Sequence, residues 1–296
     1  VHNTTSELRE LIESGLSDYL PQSALEGSDR LNEAIRYAMF PGGKRLRPVL
    51  TLLGVQVVGG CLKRALPVAC AVEFLHTTSL VFDDLPAMDD ASLRRGHPAL
   101  HLVFGEGVAQ LAALALLNET YALFGRTPAL IAEAAACLGT DGMIGGQAVD
   151  LEIRSTSRLT RIPFTARNRK TSALLRLTLA AGALACDAAP ADVAALAQAG
   201  ECLGEAYQIC DDLLDEFLDG EDTGKDSRQD ARHQRPSHAA QYGASACHAH
   251  VLALVTEAKQ CLTRRFGSSP AVSVMLAHID EIVREFSRAG LAVACT

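Results

Sequence analysis

Apolar residues recur along most of the chain at helical spacing. Val193, Leu196, Leu203, Tyr207, Cys210 and Leu214 keep to steps of three, four or seven, which places them on one stripe of a helix. The same period returns at Val251, Leu254, Val255, Ala258 and Leu262, and again from Val272 through Met275, Ile279 and Ile282 to Phe286. Two stretches, Leu66 to Leu85 and Gly107 to Phe124, are apolar on all sides, the pattern of helices buried in the middle of a large bundle. No stretch alternates with period two over a strand's length. Turn residues interrupt the pattern at Pro41 to Gly43, Gly59 and Gly60, Pro86, Gly96 to Pro98, Gly125 to Pro128, Asp187 to Pro190, Asp219 to Gly224, Pro236 and Gly267 to Pro270. None of these breaks is long enough for an interdomain linker. The pattern predicts a single all-α domain over residues 1–296, a bundle of about ten helices packed on one another.

Composition narrows the partners. Of 296 residues, 48% are apolar and 21% charged, too apolar for a disordered chain. Lys and Arg number 27 against 35 Asp and Glu, a formal charge of −8, so no global field draws the chain to nucleic acid or an anionic membrane. Any bound anion must be held by a local basic cluster. The nine cysteines are scattered and never spaced C-x-x-C, which fits neither a disulfide framework nor a zinc cage and points to a reducing, cytoplasmic setting. The best candidate for a membrane span, Leu177 to Cys186, is flanked by Arg176 and Asp187 and falls short of the roughly 20 residues needed, so no transmembrane segment is expected. Val1 to Glu10 is polar and has no secretory apolar stretch.

Two acidic clusters carry the candidate chemistry. Asp83, Asp84, Asp89 and Asp90 gather where Pro86 should end an apolar helix, so they repel one another and face the negative end of its dipole. Asp211, Asp212 and Asp215 form the second, with Asp211 and Asp215 projecting from one helical face. Such clusters are ordinarily solvated acidic surface. Here both lie inside apolar segments, Ser79 to Phe82 and Tyr207 to Cys210, where uncompensated carboxylates are costly. Hard oxygen ligands on two helices suit Mg²⁺ when a substrate phosphate completes the shell, and the spacing of a Ca²⁺ loop is absent. Basic groups stand near each cluster: Lys44, Arg45 and Arg47 after Gly42 and Gly43; Arg94 and Arg95; Lys170; and Lys225 with Arg235. Arg forks and Lys point charges are the means of diphosphate recognition, and the Gly pair would let backbone amides approach an anion. His97 and His101 have the spacing of a helical metal pair, but Pro98 between them predicts a loop.

Taken together, these segments resemble the trans-type isoprenyl diphosphate synthases, most closely the bacterial geranylgeranyl diphosphate synthases of carotenoid pathways. The resemblance runs in order from Leu31 to Gly243 through Gly42 to Pro48, Glu73 to His76, Asp83 to Gly96, Gly142 to Gln147 with Asp150, Lys170 to Ser172, Gly204 to Asp215 and Asp222 to Asp226. It implies an all-α isoprenoid synthase fold around a central prenyl-chain cavity, usually as a homodimer, with the helix from Gly107 to Phe124 the candidate interface. It also implies that Asp83, Asp84, Asp89, Asp150, Asp211, Asp212 and Asp215 hold or support Mg²⁺, three ions in that family, against an allylic diphosphate. Arg94, Lys170 and Lys225 would add charge around the departing diphosphate. Lys44, Arg47, His76 and Arg95 would bind isopentenyl diphosphate, Gln147 and Arg235 would contact substrate, and Thr171 and Gln208 would lie along the reacting carbons. The released diphosphate can take the proton, so no side-chain base is needed.

Product length should follow from the floor of the cavity. Thr78, five residues before Asp83, lies roughly 7.5 Å deeper along a helix. Farnesyl-forming bacterial relatives usually carry a bulky aromatic there, so Thr78 predicts a C20 product grown from farnesyl diphosphate, with Phe74, Leu75, Leu111 and Leu114 as further floor residues. The chain departs from the broad family pattern at Phe82, Arg167, Ala113 and Leu114, and around Arg235, where the spacing after Asp226 is one residue longer. The alternatives are a farnesyl diphosphate synthase, a non-catalytic subunit that modifies another prenyl synthase, and a terpene cyclase. The subunit reading is weakened because both aspartate motifs are kept. The cyclase reading is weakened because it has no use for Lys44, Arg47 and Arg95.

Overall fold

Helices account for nearly all the secondary structure. The computed structural model describes residues 3–40, 42–155, 164–217 and 242–294. Its elements run α1 (Thr5–Tyr19), α2 (Asp29–Met39), α3 (Leu46–Val57), α4 (Leu62–Asp83), β1 (Leu93–Arg94), β2 (His97–Pro98), α5 (Leu100–Phe104), α6 (Glu106–Phe124), α7 (Pro128–Leu138), α8 (Met143–Ser155), α9 (Phe164–Ala185), α10 (Pro190–Phe217), α11 (Ala244–Phe266) and α12 (Pro270–Ala294). That is twelve helices among the described residues, against the ten or so expected. The breaks expected at Asp219 to Gly224 and at Pro236 lie outside the described residues, as does Pro41.

Local chemistry sets several of the ends. Thr4 caps α1 through a reciprocal pair of bonds with Glu7. Pro128 opens α7, where its missing N–H costs nothing. α4 stops at Asp83, two residues before the residue that Pro86 restricts. A two-residue antiparallel hairpin pairs Leu93 with Pro98 and Arg94 with His97. Its turn, Arg95 and Gly96, has φ of 55° and 77°, the positive values that suit a tight hairpin. Period-two alternation could not reveal this hairpin, because each strand has only two residues.

α9 is the hub, packing on α10, α3, α8, α4 and α7. Glycines let the neighbouring backbones approach it. A Cβ at Gly200 would lie 2.3 Å from the Leu175 carbonyl oxygen, one at Gly204 2.4 Å from Ser172 Cα, and one at Gly146 2.4 Å from the Lys170 nitrogen. These contacts fix the start of α9, with Lys170 and Thr171, between α8 and α10. One hydrophobic cluster extends from Leu8 in α1 to Ile279 in α12.

Among the described residues α4 and α6 are both long and apolar enough to cross a membrane by length and composition, where the sequence offered only Leu177 to Cys186 as a candidate; two such helices are weak evidence for a span. α4 is mostly buried inside the bundle, which is how a core helix passes the same test. α6 was expected to be buried on all sides. Instead Ala109, Ala112, Ala113, Leu116, Thr120 and Phe124 face inward, while Leu111 and Leu114 are 56% and 50% exposed.

Candidate active site

The end of α4 and the loop after it hold the first acidic cluster. Asp89 donates its backbone N–H to the Asp83 carbonyl at 2.8 Å, and Ala91 donates to that of Asp84 at 3.2 Å, so the loop folds back over the helix end. Asp83 and Asp84 are buried, and each carboxylate meets a cation. Lys170 Nζ on α9 reaches Asp83 Oδ2 at 2.7 Å. Arg94 on β1 forks onto Asp84, with Nε at 3.0 and 3.1 Å from the two oxygens and Nη2 closer still. Burial pushes both carboxyls above the ordinary Asp range, against the pull of these cations. Asp89 raises both further.

The second acidic cluster, Asp211 and Asp212, lies on α10. Thr171 Oγ1 donates to Gln208 Oε1 at 2.7 Å, and Gln208 Nε2 donates to Asp212 Oδ1 at 2.8 Å. This relay runs from α9 to the buried Asp212 and fixes which end of the Gln208 amide faces each neighbour. Gln147 on α8 reaches the Met88 sulfur at 3.7 Å, while its buried Oε1 has no hydrogen-bond partner among the described residues. Asp150 lies three residues further along α8, half-buried.

The second basic group surrounds the start of α3. Arg47 is buried, its Nη1 is 3.1 Å from His76 Nε2, and its guanidinium sits 5.9 Å from the centre of the Tyr207 ring. Its Nε is buried with no hydrogen-bond partner among the described residues. Burial pulls the Arg47 and Arg95 guanidinium pKa values below the ordinary Arg range, although Tyr207, Glu73 and Asp211 oppose this at Arg47 and Glu73 opposes it at Arg95. These are cations short of counter-charge, which favours an anionic ligand. Lys44, three residues before Arg47, is exposed.

Some sequence expectations take a different form. The Gly pair makes room for guanidiniums: a Cβ at Gly42 would lie 2.0 Å from Arg45 Cζ, and one at Gly43 3.2 Å from Arg95 Nε. Arg45, grouped in the sequence with Lys44 and Arg47 as a basic cluster for an anion, is instead buried between Glu13 and Glu73. Thr78 Oγ1 donates to the Ala113 carbonyl at 3.1 Å, tying α4 to α6, and Phe74 and Leu75 are buried in the core. Leu111 and Leu114 are corrected as floor residues of this chain, because α6 turns them outward. His97 and His101 fall on separate elements, β2 and α5, as the intervening proline predicted. Lys225 and Arg235 lie outside the described residues, and so does the side chain of Asp215.

The donor set fits Mg²⁺. Among the described residues no three acidic, His or Cys groups converge into a ready-made cage. Paired carboxylates at the end of α4 and on α10 match the chemistry of an ion that takes one or two protein oxygens and completes its octahedron with water and substrate phosphate. The buried Gln147 Oε1 adds a further hard acceptor.

A model of the "Polyprenyl synthetase" family matches residues 28–270. A geranylgeranyl diphosphate synthase of Cyanophora paradoxa is 36% identical over 265 residues, 86% of this chain and 87% of the relative. A farnesyl diphosphate synthase of Geobacillus stearothermophilus is 39% identical over 225 residues, 72% of this chain and 75% of the relative. Among solved structures, an FPP/GFPP synthase from Zymomonas mobilis superposes with a TM-score of 0.78 at 30% identity, covering 94% of this chain and 99% of its own. A geranyltransferase from Helicobacter pylori, solved with magnesium and isoprenyl diphosphate, gives 0.79 at 26%, covering 96% and 99%. With its paired aspartates on α4 and α10 and its arginine-lined cleft, the chain belongs to the polyprenyl synthetase family and is a prenyltransferase.

Proposed function

We propose that the chain condenses isopentenyl diphosphate with an allylic diphosphate, farnesyl diphosphate in the last step, to give geranylgeranyl diphosphate. The residue that supports this product length is Thr78, small and buried at the α4–α6 contact, where its hydroxyl donates to the Ala113 carbonyl and a bulky side chain would take up space that a longer prenyl chain needs. A farnesyl product is the second reading, favoured by the Geobacillus relative at 39% identity.

Asp83, Asp84, Asp89, Asp211 and Asp212, with Asp150 and Asp215 in support, would hold Mg²⁺, which supplies Lewis-acid charge to the leaving diphosphate. Arg94 and Lys170, joined by Lys225, offer donors to that same anion, since their bonds to Asp84 and Asp83 use only part of the donors that a guanidinium and an ammonium carry. The allylic C–O bond breaks with its electron pair on the diphosphate. The oxygen dipoles of Thr171 and Gln208, fixed by the relay to Asp212, oppose the positive charge left on carbon. Lys44, Arg47, His76 and Arg95 hold isopentenyl diphosphate so that its double bond attacks C1 of the allylic cation. One C–C bond forms, and the proton lost from C2 passes to the released diphosphate. Gln147 and Arg235 complete the substrate contacts.

The further reading is of one domain acting as a homodimer in the cytoplasm with three Mg²⁺ ions, supplying a carotenoid pathway. The thiols favour a reducing compartment: among the described residues eight cysteines are unpaired with one another, and burial pushes Cys70, Cys137 and Cys210 up to about 12. The test of the reaction is incorporation of labelled isopentenyl diphosphate by the purified chain alone with Mg²⁺. Elongated allylic diphosphate is expected. A cyclic hydrocarbon without label, or turnover only after a second subunit is added, would contradict it.

A further inference from the structure

A carboxylate sits at the centre of the arginine group and belongs to none of the roles above. Glu73, on α4 three residues before His76, is 2% exposed. Its Oε1 faces two guanidiniums, Arg45 Nη1 at 3.0 Å and Arg95 Nη2 at 3.9 Å. The two arginines differ. Arg45 is fully committed: Nε and Nη2 reach Glu13 at 2.7 and 3.3 Å, and Nη2 donates to the Met39 carbonyl at 3.0 Å. Arg45 is therefore an anchor and not a ligand. Arg95 lies over Gly43, is partly exposed, and keeps 3.9 Å from Glu73, longer than a hydrogen bond, so its donors stay available to an anion. Arg45, Arg94 and Arg47 repel Arg95, and Glu73 is the carboxylate that opposes them.

We propose that Glu73 is a positioning residue for the isopentenyl diphosphate site: held in place by Arg45, its carboxylate keeps the Arg95 guanidinium beside Lys44 and Arg47, where their charges meet one diphosphate together. This inference rests on the condensation proposed above. A merely structural ion pair would leave the two substrates equally affected, so the test compares them.

Glu73→Gln keeps the shape and removes the charge. The expected result is a KM for isopentenyl diphosphate raised about tenfold, the scale of one misplaced charge-assisted bond, with the KM for the allylic diphosphate within about twofold. In an Arg95→Gln background the same change should cost nothing further, because Glu73 acts through Arg95. If Glu73→Gln does not fold, Glu73→Asp retains the charge one methylene further back and should give a smaller rise of the same selectivity. Calorimetric titration with isopentenyl diphosphate reads the loss without turnover. Equal rises in both KM values, an unchanged isopentenyl KM in a folded variant, or additive effects with Arg95→Gln would overturn the inference alone. A wild-type chain that neither binds nor incorporates isopentenyl diphosphate would overturn the functional reading with it.

Discussion

Thr171, Gln208 and Asp212 show how one hydrogen-bond relay can serve both architecture and chemistry. The Thr171 hydroxyl and Gln208 amide join α9 to α10, and the same two bonds aim the Gln208 oxygen. Thr171→Val should leave the helices packed while freeing that amide. Steady-state kinetics should show kcat reduced about tenfold, the scale of one lost hydrogen bond, with the isopentenyl KM nearly unchanged. The aspartates of this site were legible in the sequence because paired carboxylates inside apolar segments need a cation. The pairing of Arg45 with Glu73 was not. Their partnership joins positions 28 residues apart and adds Glu13 from a third helix, and only packing creates such a contact.

At the scale of elements, the cleft depends on how closely three helices approach. Gly200 and Gly204, one turn apart on α10, let it press against the Leu175 carbonyl and Ser172 of α9. Gly204→Ala would place a methyl 2.4 Å from Ser172 Cα, against backbone that cannot swing aside. A loss of about 1–3 kcal/mol is expected, read as a lower denaturant midpoint, together with reduced kcat because Thr171 moves with Ser172. Helical periodicity located these elements and most of their ends, since Pro, Gly and the apolar stripe are local signals. It could not say which side of α6 would stay uncovered, because an all-round apolar helix carries no polar face to mark the outside.

At the scale of the whole molecule, that uncovered side of α6 is the feature a lone chain leaves unexplained. Leu111 and Leu114 stand half exposed on a helix whose other face is core, the composition of a buried interface. The homodimer reading predicts that Leu111→Glu with Leu114→Glu shifts sedimentation from dimer to monomer while the helical circular dichroism persists. A wild-type monomer would contradict it. On the proposed reading, an overall charge of −8 is compatible with two diphosphate substrates because Arg45 and Arg95 gather around Glu73, Arg47 is buried beside His76, and Mg²⁺, if held, would reverse the local sign at the aspartates. The central claim is elongation to C20, and the length of the product measures it most directly. Purified chain given farnesyl and isopentenyl diphosphates with Mg²⁺ should release geranylgeranyl diphosphate, and Thr78→Tyr should stop at farnesyl diphosphate when geranyl diphosphate is the primer. Farnesyl diphosphate as the sole end product of the unaltered chain would contradict it.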